Sequence, residues 1–300
     1  MDNLRAIALM CVAMACFALE DLVIKLLAET LPTWQIFILM GGTGAALFAV
    51  ICRARGVPLF TRAFLTPLVI LRNMGEVIGG LGFVTALTLV PLSLATAILQ
   101  ATPLALTAGA AIFLGERVGW RRWVAVLIGF VGILVVLDPF SADFEPAALL
   151  AVVGVLGLVM RDLATRVLPD DLPSPQISFW AYCCMPISGL ILLPWGGAGV
   201  MPGAAGWTGI VVAASIGAMG YWAITLAMRL GEVAAVIPFR YTRLIFAMAL
   251  GIAVLGERPD ATTLAGAALV VLTGLYTVWR ERKLAAEGRE VDLSPRAEPR

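Results

Sequence analysis

The sequence predicts an all-α membrane protein: ten transmembrane helices in two inverted five-helix repeats, with the N- and C-termini cytoplasmic. Three observations carry this reading. Apolar residues gather in ten runs of about twenty, the length that crosses a hydrocarbon core of about 30 Å. Lys and Arg fall almost entirely in alternate connections. The chain also matches itself at an offset of 141 residues. Composition agrees: 61% of the 300 residues are hydrophobic, 14% are charged, and mean hydropathy is +0.96, well outside the soluble range.

Between breaks in hydropathy, the first five runs are Leu4 to Leu27, Thr33 to Cys52, Pro67 to Leu89, Ser93 to Leu114 and Gly119 to Leu137. The second five are Pro146 to Val167, Pro175 to Pro194, Gly206 to Arg229, Val233 to Leu255 and Ala261 to Trp279. The first run continues to about Leu19 without a cleavage site, so it reads as an uncleaved span and not a signal peptide. Beyond the last run, residues 284–300 are polar and aperiodic and read as a disordered cytoplasmic tail.

With the N-terminus inside, the cytoplasmic connections hold Arg5, Arg53, Arg55, Arg62, Arg117, Arg121, Arg122, Arg166, Arg229, Arg280, Arg282 and Lys283, and the opposite side holds only Arg258. External connections carry Glu29, Asp138, Asp143, Glu145, Glu257 and Asp260 instead. Retention of basic residues on the cytoplasmic side sets this orientation. It implies an inner or plasma membrane.

The self-match joins polar residues that chance alignment of apolar chains does not. Asp21-Leu22 meets Asp162-Leu163, Lys25 meets Arg166, Leu31-Pro32 meets Leu172-Pro173, and Gln35-Ile36 meets Gln176-Ile177. Leu114-Gly115-Glu116-Arg117 meets Leu255-Gly256-Glu257-Arg258. Residues 1–141 and 142–283 are therefore two five-span repeats. An odd number of crossings sends the second repeat into the membrane from the other side, as in secondary transporters.

The exclusions are firm. There is no histidine, so no imidazole base, metal ligand or pH switch exists. The five cysteines have no metal-ligand spacing and read as small buried hydrophobes. No phosphate-cradling loop or zinc signature is present and no metal or other cofactor is expected, which leaves a membrane-embedded enzyme only as a minor alternative to a transporter. The connections are too short for a nucleotide-binding domain, which excludes direct use of ATP. Basic residues form no stripe, which removes nucleic acid as a partner.

On the two five-span halves, the repeated Leu-Gly-Glu-Arg and the glycine-punctuated run Leu127-Ile-Gly-Phe-Val-Gly-Ile-Leu134, the chain resembles the drug/metabolite transporter superfamily, in particular its EamA-type ten-span bacterial transporters. Within that group it is most similar to the aromatic and neutral amino-acid exporters. The resemblance makes the membrane a bacterial inner one and implies alternating access around a central cavity built from spans 1, 3, 4, 6, 8 and 9. Export of another metabolite, such as nucleosides or drugs, is the alternative. A small-molecule substrate and the lipid bilayer are the expected partners. A monomer is the expected unit, since duplication already supplies both halves.

Charges at membrane depth cost about 2.5–3.5 kcal/mol each, so they face protein or water and mark function. Here they are Glu20, Asp21, Lys25, Arg72, Glu76, Arg161, Asp162, Arg240 and Arg243. Candidate substrate contacts are Glu20 (a substrate-ammonium contact or a proton site), Arg72, Asn73, Glu76, Gln100, Trp222, Arg240 and Tyr241. Asp21 with Lys25, and Asp162 with Arg166, are four apart on one helical face and read either as structural ion pairs or as gates. Pro103 and Pro238 remove amide donors and free the carbonyls of Leu99 and Ala234, and helix breaks at matching depths point to a transport site. The topology makes one prediction. A reporter active only in the cytoplasm, fused after Arg300, is expected to be active, and activity only of an exported reporter there would invert the orientation.

Overall fold

The computed structural model describes residues 2–116, 118–142, 144–169, 172–230 and 236–286. These form helices joined by short connections, with no strand among the described residues. Ten helices are long and apolar enough to cross a membrane: span 1 Asn3–Leu27, span 2 Thr33–Ala54, span 3 Pro67–Leu89, span 4 Leu92–Phe113, span 5 Trp120–Leu137, span 6 Ala148–Arg166, span 7 Ser174–Leu192, span 8 Ala204–Met228, span 9 Ile237–Leu255 and span 10 Ala261–Arg280. The expected starts and ends hold to within a few residues. The helix of span 10 runs on to Ala286, so residues 284–286 are helical where the sequence predicts tail. The remainder of that tail, with Arg117, Asp143, Val233 and Ala234 of the readings above, lies outside the described residues.

Span 4 is broken where Pro103 predicts. Helix covers Leu92–Leu99 and resumes at Thr102–Phe113. The carbonyl of Leu99, which loses its amide donor, accepts the Thr102 hydroxyl at 2.6 Å. In span 9, Pro238 sits in a tighter 3₁₀ turn, Ile237–Tyr241, which leads into the helix Thr242–Leu255.

The helices pack in pairs that cross from one half to the other: span 3 on span 6, span 8 on span 1, span 2 on span 7, and span 5 on span 10, with spans 4 and 9 meeting between them. Adding five to each first-half span, and subtracting five from each second-half span, returns the same pairs. This is the two-fold relation of inverted repeats. The end carrying the N-terminus is called proximal here and the other end distal.

The repeated sequence motifs have physical causes at these ends. Pro32 and Pro173 hold extended backbone just before spans 2 and 7, and one turn in, each helix presents a glutamine. Gln35 Nε2 donates to the Val200 carbonyl at 2.5 Å while its Oε1 accepts the Val200 amide at 2.9 Å, at the distal end. Gln176 Nε2 donates to the Pro58 carbonyl at 2.8 Å, at the proximal end. Each glutamine clamps the connection that follows the opposing span.

The Leu-Gly-Glu copies end spans 4 and 9. Gly115 and Gly256 adopt φ of +69° and +66°, the left-handed turn that closes a helix and favours glycine. The second glutamate then serves another helix: Glu257 accepts the Leu92 amide, the Ser93 amide at 3.0 Å and the Ser93 hydroxyl at 2.7 Å. Those are orphan donors at the start of span 4, and an anion there is favoured by the helix dipole. Glu116 instead binds Arg166 at 3.0 Å. The five thiols are unbonded, with Cys16, Cys52 and Cys184 buried.

Spans 3 and 6 approach most intimately. A Cβ on Gly75 would lie 2.6 Å from the Arg161 amide nitrogen, one on Gly82 2.6 Å from the Leu150 carbonyl, and one on Gly157 against the Gly79 backbone. Small residues permit such crossings, and packing is the main attraction between helices in lipid. Outward faces carry Leu71, Met74 and Ile78 on span 3 and Leu127, Val131 and Leu134 on span 5, as lipid contact requires. Gly157→Ala is therefore expected to destabilise the protein by about 1–3 kcal/mol through overpacking. Gly42→Ala, where nothing lies within 4 Å of the added carbon, is expected to be neutral. Thermal melting of the detergent-solubilised variants checks both.

Candidate functional site

The glycine crossing of spans 3 and 6 brings four charges into one chain. Arg72, 1% exposed, contacts Glu76 Oε2 through Nη2 at 2.7 Å and donates from Nη1 to Asn73 Oδ1 at 3.1 Å. The other oxygen of Glu76 accepts Arg161 Nη1 at 3.3 Å. Arg161 then holds Asp162 Oδ1 through Nε and Nη2, both at 2.8 Å. Two cations and two anions alternate, so the chain is neutral as a unit, which offsets the cost of taking ions out of water.

A second pair joins spans 1 and 9. Arg243 grips Asp21 with Nη2 at 2.9 Å and 2.7 Å and Nε at 3.1 Å. The guanidinium carbon lies 5.3 Å from the Phe17 ring centre and 5.6 Å from that of Phe83, cation–π contacts on both sides.

Neither i, i+4 pair expected from the sequence forms. Asp21 goes to Arg243, whose planar fork matches a carboxylate bidentately. Lys25 donates to the carbonyls of Leu87 at 3.2 Å and Val90 at 2.5 Å, satisfying orphan acceptors at the end of span 3. Asp162 goes to Arg161, and Arg166 reaches Glu116 across the proximal end. Shared helical face permitted the contacts, but a guanidinium on another span took Asp21 and the neighbouring guanidinium on the same span took Asp162.

Besides Lys25, which is spent on carbonyls, two charges of opposite sign at membrane depth have no ion-pair partner. Glu20 on span 1 and Arg240 on span 9 make no hydrogen bond or ion pair among the described residues. The Glu20 carboxylate rests on Gly217 of span 8. Arg240 feels the charges of Asp162, Arg161 and Arg243. Tyr182, on span 7, is buried in the same half of the bundle as the span 2 residues it packs on. Tyr182 packs on Gly44 and stacks on Phe48 with centres 5.4 Å apart.

Of the other sequence candidates, Gln100 lies in the break of span 4, buried, with its Nε2 lacking a partner. Thr96, one turn earlier, has a buried hydroxyl in the same state. Tyr241, the repeat counterpart of Gln100, turns toward span 10, where its hydroxyl abuts Gly274. Trp222 is 58% exposed, on the outward stripe of span 8 with Val211 and Met219, and so stands apart from the charged layer. Sequence reading left Arg161 and Arg243 out of the site, although their depth in the spans was the available signal. Gly217 and Tyr182 gave no comparable one. At the distal end an open cleft of about 330 Å³ is lined by Thr33, Trp34, Thr85, Thr88 and Trp195 among others.

Two inverted five-helix units around a buried layer of fixed charges define a multi-pass membrane transporter of small molecules. The chain belongs to the EamA-like transporter family, whose model matches residues 4–138 and again 145–279, once per half. Among its relatives, a riboflavin transporter of Vibrio cholerae is 32% identical over 66% of each chain, just under two thirds. An S-adenosylmethionine uptake transporter of Rickettsia conorii is 27% identical over 71% of this chain and 72% of its own. A pseudopaline exporter of Pseudomonas aeruginosa is 25% identical over 85% and 89%. A solved crystal structure superposes with a TM-score of 0.63 at 19% identity, covering 92% of this chain and 96% of that one, and shows the same fold. Family and relatives are transporters, and the chain is not an enzyme.

The Asp21–Arg243 pair gives the stability prediction. Asp21→Asn or Arg243→Met alone leaves one buried ion uncompensated and is expected to cost about 3–5 kcal/mol. The double variant is expected to recover most of that loss, measured by thermal melting of the purified protein.

Proposed function

We propose that the chain is a secondary transporter that moves a small zwitterionic metabolite with an apolar portion by alternating access, its two halves rocking about the charged layer. One observation carries the reading: Asp21, Arg72, Glu76, Arg161, Asp162 and Arg243 are held in ion pairs and Lys25 is spent on backbone carbonyls, while Glu20 and Arg240, one of each sign, have neither among the described residues. An unmatched charge at membrane depth is costly. A solute with an ammonium and a carboxylate neutralises both at once.

Neutral and aromatic amino acids are the smallest solutes of this kind, and Tyr182 of span 7 and Tyr221 of span 8 offer apolar faces with polar tips. S-adenosylmethionine, named for one relative, carries the same α-amino acid head. Gln100, with an amide donor lacking a partner in the break of span 4, supplies a neutral contact. The driving force is the solute gradient or protons, the direction is export, the location a bacterial inner membrane, and the unit a monomer.

The test is uptake into and efflux from proteoliposomes for labelled amino acids, nucleosides and riboflavin, with and without a pH gradient. Saturable movement of neutral or aromatic amino acids is expected. Glu20→Gln and Arg240→Gln are each expected to lower it by about tenfold or more, the usual cost of losing a charged hydrogen-bond partner. Movement of nucleosides or riboflavin alone would overturn the zwitterion class.

A further inference from the structure

The two-fold relation compares equivalent interfaces residue by residue. At an offset of 141, Arg161 corresponds to Glu20 and Glu76 corresponds to Gly217. In the interface of spans 3 and 6 these positions hold an ion pair, Arg161 to Glu76 at 3.3 Å. In the matching interface of spans 8 and 1, the carboxylate has changed helices and the cation has disappeared. The acid stands at the arginine's position, and the glutamate's own position, from which a counter-charge would have to come, is a glycine.

That glycine lies directly against the acid. A Cβ on Gly217 would fall 2.7 Å from the Glu20 carboxyl carbon and 2.9 Å from Oε2, and closer still to Oε1. Any side chain there would displace the carboxylate or have to pair with it. The neighbouring charges are already committed: Asp21 and Arg243 neutralise each other. One turn along, Gly220 lies against Cys16 and Phe17 of span 1, so apolar atoms face span 8 there and a carboxylate without an ion-pair partner among the described residues faces it at Gly217.

We infer that Gly217 is a specificity-determining residue: it keeps open the cation side of an ion pair with Glu20, which the substrate's ammonium group completes. The substrate cation thus takes the role against Glu20 that the Arg161 guanidinium plays against Glu76. This deepens, and rests on, the zwitterionic reading above. It commits the site to solutes bearing a protonated amine and against anions of the same shape.

The experiment provides the counter-charge from within. Gly217→Lys supplies an internal ammonium, and it is compared with Gly217→Ala, Glu20→Gln and the double variant Gly217→Lys with Glu20→Gln, all in the full-length protein. Melting temperatures form a double-mutant cycle that needs no substrate. Lysine at 217 is expected to be tolerated while Glu20 is present and to lower the melting temperature once Glu20 is Gln. In proteoliposomes, initial uptake of labelled phenylalanine is expected to fall about tenfold or more in Gly217→Lys, and less in Gly217→Ala. Uptake of 3-phenylpropionate, which lacks the amine, is expected to stay at background throughout.

Wild-type uptake by Gly217→Lys, or a lysine whose effect on melting is the same with and without Glu20, would overturn the inference. A wild type that moves no amino acid would overturn the zwitterion reading instead. The melting cycle then decides by itself whether position 217 is the missing counter-charge of Glu20.

Discussion

The close crossing of spans 3 and 6 is the constraint on which the charged layer depends. Gly75, Gly79 and Gly82 on one helix face Gly154 and Gly157 on the other, with backbone against backbone. Only at that separation does Arg161 reach Glu76 while Arg72 holds the same carboxylate from its own helix. In a medium without water the chain of ions is tolerable because each member is matched. Widen the crossing by a methyl group and the pairing, not merely the packing, is strained.

Symmetry sets the scaffold and its violations set the site. The glutamine clamps, the left-handed glycines and the pairing of spans obey the two-fold relation closely. The ionisable residues do not. Asp21 is answered by Arg243 from span 9, whereas the counterpart of Arg243 in the first half is Thr102, and Asp162 turns to its chain neighbour Arg161. A duplicated frame with unequal charges gives a pathway whose two walls differ, which a solute with distinguishable ends requires.

Much of this was legible in the sequence because lipid leaves few options. Runs of about twenty apolar residues became helices with nearly the expected ends, and Pro103 broke span 4 where its missing amide demanded. The repeat offset led to Gln35, Gln176 and Glu257, whose roles depend on end geometry that the motif encodes. Partner choice was not legible. Spacing put Asp21 beside Lys25, but spacing knows nothing of Arg243, 222 residues away in sequence. Trp222 was equally opaque, since an apolar span hides which of its faces meets lipid, and Gly217 is silent until the residue across from it is known.

The clamps at the ends of spans 2 and 7 have one more consequence. Gln35 reads the amide and carbonyl of Val200, and Gln176 reads the carbonyl of Pro58, and none of these atoms belongs to a side chain. That hold is indifferent to the side chains of Val200 and Pro58, whereas Phe60, Phe64 and Gly196 in the same connections are fixed by packing on Phe179, Trp180 and Trp34. Registration of the two halves at these ends is thus written in main-chain atoms: exchange of Val200 or Pro58 leaves the join intact, and loss of either glutamine does not.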